Sequence, residues 1–238
     1  MNWKPSQKPA ELAESRLIEA ILDGRFPISK NLPAERELAA QLGVTRPTLR
    51  EALQRLARDG WIEIQHGRST RVRNYLQEGS LGVLSALAHH PNHAPDNFIA
   101  NLLAVRHLLA PAYTRLAVEN AATALAELLR ELVTTPDTAE AFAAADWRLH
   151  HRLTVLSNNP IFTLILNGFI DLYPPMARLY FNRKEARAHS RDFYQRLLSK
   201  SLANNPDAAE ELTRQVMVES MAHWRQVGQT DLKAKEHS

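Results

Sequence analysis

Between Leu32 and Gly60 the chain reads Leu-Pro-Ala-Glu-Arg-Glu-Leu-Ala-Ala-Gln-Leu-Gly-Val-Thr-Arg-Pro-Thr-Leu-Arg-Glu-Ala-Leu-Gln-Arg-Leu-Ala-Arg-Asp-Gly. This is the pattern of two short amphipathic helices joined by a tight turn at Gly43. The second helix carries its own start signal. Thr45 is a good N-cap, Pro47 sits in the first turn where its missing N–H is not needed, and Thr48 follows at N3. Val44 and Leu49 have the spacing of a hydrophobic staple. Leu49, Ala52, Leu53 and Leu56 form one apolar face, and Gly60 suits the left-handed position after the helix. Arg46 and Arg50, four residues apart, share the exposed face. Arginines at the N-terminal end of such a helix can reach guanine edges in a major groove, and nearby Thr45 and Thr48 can bond phosphate or base edges.

The preceding helix is expected to open at Pro33 as N1, with Leu38 and Leu42 facing inward. Arg36 stands near its start, where the helix dipole does not favour a cation, so an outside anionic partner explains it better. After Gly60, Ile62 and Ile64 alternate with polar residues, as do Thr70 and Val72. Two short strands with a turn at His66-Gly67 are expected, forming a basic hairpin beside the helices. Charge follows the same division. Residues 1–76 hold 13 Lys+Arg against 9 Asp+Glu, and the remainder carries a net charge of −1. Positive charge concentrated in the head is what phosphate binding needs.

From about residue 80 the pattern becomes long helical segments without strand signals. Helices are expected at 97–109, from Pro111 to about Val133, after a cap at Asp137 or Thr138, from Pro160, and near 185–203 and 206–227. Pro174-Pro175 should interrupt the fourth of these. The fold class is therefore mainly α. An N-terminal pair of helices with a small β-hairpin wing is expected over residues 1–74, a linker over 75–82, and an all-α bundle of six or seven helices over 83–238, for which the resemblance given below implies effector binding and dimerisation. A helix from about Ala10 to Leu22 precedes the motif.

Several chemistries are excluded. Cysteine is absent, which removes disulfides, thiolate metal sites and thiol nucleophiles. No His-Glu-x-x-His, phosphate loop or Gly-x-Ser-x-Gly occurs, and Glu210-Glu211 point apart on a helix. Enzymatic activity is not expected. Asp146 and His150, with His151 beside them, have metal-ligand spacing, but they read first as a surface pair. The later histidines His189 and His223 are not persuasively placed, so no metal and no cofactor are expected. Neither a leader nor a membrane span stands out, so a cytoplasmic location without membrane partners is expected.

Pro33-Ala-Glu-Arg36, Val44-Thr-Arg46, Leu49-Arg-Glu-Ala-Leu53 and the wing resemble the winged helix-turn-helix head of GntR-superfamily regulators. Asn101-Leu-Leu-Ala-Val-Arg106, Asn159-Pro160, Leu166-Asn-Gly168, Leu172-Tyr173 and Tyr180-Phe181 resemble the FadR branch. The resemblance implies a homodimer on a palindromic double-stranded DNA operator, with long-chain fatty acyl-CoA as the effector that releases it. It implies repression of fatty-acid degradation genes and activation of unsaturated fatty-acid synthesis genes. Carried over by position, Ala34, Glu35, Arg36, Thr45, Arg46, Thr48, Arg50, His66 and Gly67 would contact DNA. Arg106, Tyr173, Tyr180, Arg214, Ser220 and Trp224 would line or flank the ligand site, with Arg106 and Arg214 taking CoA phosphates. Met217 and Gln229 depart from the residues the resemblance leads one to expect near that ligand. The alternative readings are a regulator answering a small carboxylate, bridged by a metal at Asp146 and His150, and, less favoured, an acyl-CoA-processing enzyme.

Overall fold

The computed structural model describes residues 8–65, 67–90, 93, 95 and 97–235, with side chains left aside at 88 and 225–235. The chain divides into two compact units between residues 94 and 95.

In the first unit, α1 (Pro9–Leu22), α2 (Glu35–Leu42) and α3 (Arg46–Asp59) precede the antiparallel strands β1 (Ile62–Glu63) and β2 (Arg71–Val72), which pair Ile62 with Val72. The helix boundaries follow local chemistry. Thr45 caps α3 by accepting from the Thr48 N–H at 3.4 Å. Gly43 and Gly60 end α2 and α3 in the left-handed region, at φ 67° and 88°, a conformation open to glycine at no steric cost. Ala34 is the N-cap of α2, so Pro33 lies outside the helix rather than at N1. The core gathers Leu17 and Ile21 of α1, Leu38 of α2, the Leu49, Ala52, Leu53 and Leu56 face of α3, and Trp61, Ile62 and Val72. The strands are shorter than the alternation suggests. Ile64 is exposed, and Asn31 bridges Arg71, so a segment before α2 shares the ladder with the wing.

Residues 75–82, expected as a linker, carry α4 (Tyr75–Glu78) and the start of α5 (Leu81–His89). Both are tied to the head. Tyr75 packs its ring on Trp61 with centroids 4.6 Å apart. Ser80 donates its N–H to the Asp59 carbonyl at 2.9 Å, and α5 packs on α3.

The second unit comprises α6 (Phe98–Val133), α7 (Ala139–Leu156), α8 (Pro160–Asn167), α9 (Tyr173–Phe181), α10 (Lys184–Leu202) and α11 (Pro206–Lys235). The core is built chiefly from α6, α7, α10 and α11, around Val118, Leu125, Leu129, Phe142, Leu149, Phe193, Tyr194, Leu197 and Val216. The expected break at Pro111 does not occur. Pro111 is buried inside α6, and the kink comes ten residues later at Ala121 (φ −155°, ψ 44°). Packing of Ala110, Tyr113, Thr114 and Ala117 holds the helix together through the proline, which local propensity alone would not. Thr138 caps α7, accepting from Ala141 at 3.2 Å. Arg191 on α10 caps the other end of α6 with bonds to the carbonyls of Val133 (2.6 Å) and Thr135 (2.7 Å), as a cation at a helix C-terminus should. No described helix is long and apolar enough to cross a membrane.

Candidate nucleic-acid interface and effector cavity

The head presents its polar face where α2 and α3 begin. Arg46 and Arg50 point to solvent, more than half exposed. Glu35 at the start of α2 holds them both: Arg50 Nε donates to its carboxylate at 2.8 Å and Arg46 Nη2 lies 3.9 Å away. Thr45 and Thr48 share a 2.8 Å hydroxyl contact. Ala34 is exposed beside them. Arg36 is also exposed and makes no ion pair with another described residue. Gly67, at the wing tip, is exposed with φ 72°. His66 lies outside the described residues. Eight of the nine residues singled out in the head are thus described, and most lie around the two helix starts.

The second unit encloses a cavity of about 150 Å³. Its wall is mostly apolar: Leu102, Leu103, Leu109, Phe162, Ile165 and Phe169 line it, along with residues of α9, α10 and α11. Arg106, Tyr173, Tyr180, Ser220 and Trp224 all contribute. Tyr180 and Trp224 stack with centroids 6.3 Å apart, and Met217 is also in the wall. Arg214 is not. It projects to the outer face of α11, bonded to Glu210 at 2.7 Å with Glu211 at 3.6 Å. The side chain of Gln229 lies outside the described residues.

One polar cluster interrupts the apolar wall. Arg106 Nη2 donates to Asp146 Oδ2 at 2.7 Å, and the Tyr173 hydroxyl donates to the same oxygen. Tyr113 and His150 meet through the phenol oxygen and Nδ1 at 2.7 Å. Asp146 and His150 are therefore not a surface pair, being 5% and 1% exposed. Burial alone would raise the Asp146 carboxyl. The Arg106 cation and the Tyr173 hydroxyl outweigh it and hold Asp146 below its ordinary value. Burial, aided by Arg106, pushes His150 down to about 3, so the imidazole is neutral. Burial and the Asp146 charge push the Tyr173 phenol up.

This cluster does not suit a metal. A guanidinium occupies the carboxylate that would be the first ligand, and among the described residues no three His, Cys, Asp or Glu groups converge. His189 and His223 lie apart, packed edge to face at 5.1 Å, with His189 bonded to Glu219 at 2.7 Å. Sequence reasoning missed Tyr113 altogether and read Asp146 and His150 on the wrong side of the surface. A signal existed. Arg106 and Tyr113 are seven apart, two turns along one helix face, and Asp146 and His150 are four apart on another.

Comparison with known proteins settles the class. Residues 9–72 match the bacterial regulatory proteins of the gntR family, and residues 73–235 match the FadR C-terminal domain. The chain belongs to the GntR family, in the branch with a FadR-type C-terminal domain. This family is one of transcription regulators, not enzymes. The fatty acid metabolism regulator proteins of Yersinia pestis (strain Pestoides F) and Yersinia pseudotuberculosis (serotype O:1b) are each 43% identical over 92% of either chain. Among solved structures, Lar of Listeria monocytogenes has the same fold, with a TM-score of 0.59 at 15% identity over 94% of this chain and 99% of that one. The GntR-family head is a winged helix-turn-helix, and the helical unit is the FadR C-terminal domain.

Proposed function

We propose that this protein is an operator-binding regulator of fatty-acid metabolism that long-chain fatty acyl-CoA releases from DNA. It acts as a homodimer on a palindromic site in the cytoplasm, repressing fatty-acid degradation genes and activating unsaturated fatty-acid synthesis genes. The relatives' name supports the metabolic assignment. The observation that carries the ligand class is the cavity. Its wall is apolar and its one ion pair, Arg106–Asp146, closes on itself. A small carboxylate needs an uncompensated cation or a metal, and the cavity holds neither among its described residues. An acyl chain needs only apolar walls.

In the head, Arg46 and Arg50 read base edges, Arg36, Thr45 and Thr48 fix the position on the backbone, and Ala34, Glu35, His66 and Gly67 complete the contact surface. In the bundle, Tyr173, Tyr180, Ser220 and Trp224 bound the chain. The CoA phosphates lie outside the cavity, where Arg214 can exchange its glutamate partners for them. A ligand that binds one bundle shape 100-fold better than another supplies about 2.7 kcal/mol of coupling, enough to draw the population away from the DNA-competent state.

Fluorescence anisotropy on a FadR-type operator, at fixed salt, tests this reading. Release by oleoyl-CoA, with no effect of oleate or free CoA, is the expected result. Tight binding that ignores the thioester would remove the acyl-CoA assignment while leaving the DNA head in place.

A further inference from the structure

The polar cluster in the cavity wall is a chain of hydrogen bonds with one direction. Arg106 can only donate, and ionised Asp146 can only accept. Arg106 gives one N–H to Asp146 Oδ2, and its positive charge acts on the Tyr113 oxygen, which turns the hydroxyl proton away from the guanidinium. That orientation assigns the Tyr113 hydroxyl as donor and His150 Nδ1 as acceptor across their 2.7 Å contact. That bond fixes the neutral imidazole with its remaining proton on Nε2. Nε2 is fully buried and has no hydrogen-bond partner in the protein. The nearest acceptor recorded for it, Asp146 Oδ1, is 3.7 Å away, beyond hydrogen-bond reach. His150 and Asp146 both line the cavity. A buried donor without a partner is costly, and native proteins seldom leave one so.

We infer that the cavity selects an acyl chain bearing a hydroxyl group, held between His150 Nε2 and Asp146 Oδ1. This rests on the acyl-CoA reading above and narrows its ligand class. A hydroxyl fits because it is both acceptor and donor. Its oxygen takes the Nε2 proton and its own proton goes to the carboxylate, so one small group spans a gap too long for a direct bond. A carbonyl can satisfy only the histidine. A carboxylate is disfavoured, because the Arg106–Asp146 pair leaves the cluster with no net positive charge to meet it. Tyr180, Ser190 and Ser220 also put hydroxyls in the wall, but none of them lies beside a carboxylate acceptor as His150 does; along the purely apolar stretches a hydroxyl would lose hydration without return.

The test is calorimetric titration of the full-length protein with palmitoyl-CoA, with hydroxyhexadecanoyl-CoA isomers carrying the hydroxyl at successive carbons, and with the keto analogue of the best isomer. One hydroxyl position should bind about tenfold tighter than palmitoyl-CoA, with the keto analogue between them. Positions that face the apolar stretches of the wall should bind more weakly than the plain chain. The variant Tyr113→Phe/His150→Phe removes the Tyr113 donor and the His150 acceptor together. It should lose the hydroxyl preference, so that the hydroxylated and plain chains bind it alike. Wild-type affinities that ignore the hydroxyl overturn the inference without reference to any variant, and leave the acyl-CoA function standing. A preference that survives intact in the folded double variant also overturns it. No binding of any thioester removes both readings.

Discussion

Single side chains set the chemistry of both sites. Arg46 lies on the exposed side of the first turn of α3, and Arg46→Ala should weaken operator binding by about 1–3 kcal/mol and relax base preference at one position. Unchanged affinity in an operator titration would mean that another residue reads the site. The buried cluster makes a prediction about acid. His150 is held neutral by burial, with its pKa at about 3 in the folded chain against about 6.5 when unfolded. The unfolded state binds the proton first, so stability is full above about pH 6.5 and falls as pH drops toward 3. Asp146, also held below its ordinary value, adds a loss of the same sign at the acid end of that range. Urea unfolding at pH 7 and pH 5 should show the fall, and Tyr113→Phe/His150→Phe should flatten it. These buried roles were hidden in the sequence. Spacing placed Asp146 and His150 on one face of a helix, but only the packing of α6 and α9 on α7 decides that the face points inward. Arg214 stands outside the cavity wall for the converse reason: nothing in its spacing says which side of α11 faces water.

Elements were more legible than sites. The caps at Thr45 and Thr138, the left-handed glycines 43 and 60, and the apolar stripe of α3 all act within a few residues, and each places a boundary correctly. Pro111 misled because a local rule was overruled by long-range packing, and the strands of the wing came out shorter because a segment before α2 joins them. The junction of α3 with α4 was not legible at all, since it depends on contact between residues some twenty positions apart. Gly60 has φ 88°, and a Cβ there would stand 2.7 Å from Gly79 Cα and 2.8 Å from the Glu78 carbonyl oxygen. Backbone cannot yield as a flexible side chain would. Gly60→Ala should therefore destabilise the head by about 2 kcal/mol or more. Hydrogen exchange should report the loss in α1 to α3 and leave the protection of α6 and α7 unchanged. Equal protection throughout would mean that α4 moves away freely.

At the scale of the whole molecule, the fold class and the order of winged head and helical bundle along the chain were readable, because periodicity and charge both change near residue 80. The cavity was not, since it exists only between helices. Its volume of about 150 Å³ is below the roughly 300–1,000 Å³ of ordinary ligand pockets, so a long acyl chain must part the helices to enter. The wall that gives way should be α8, which has no fully buried residue and turns Ile161 and Leu164 outward. Oleoyl-CoA at a hundred times its Kd should stabilise the bundle by about 2.7 kcal/mol. Exchange should slow in α8 on binding; protection that rises only in α7 and α10 would point to a different entrance. The attachment of α4 and α5 to the head bears on how the gene can be divided. A fragment stopped at codon 74 would lack the Tyr75 ring that covers Trp61 and the Gly79 backbone that packs on Gly60, and should be prone to aggregate. One carried through codon 90 retains them together with α5, and is the piece to express when the DNA-reading half is wanted alone.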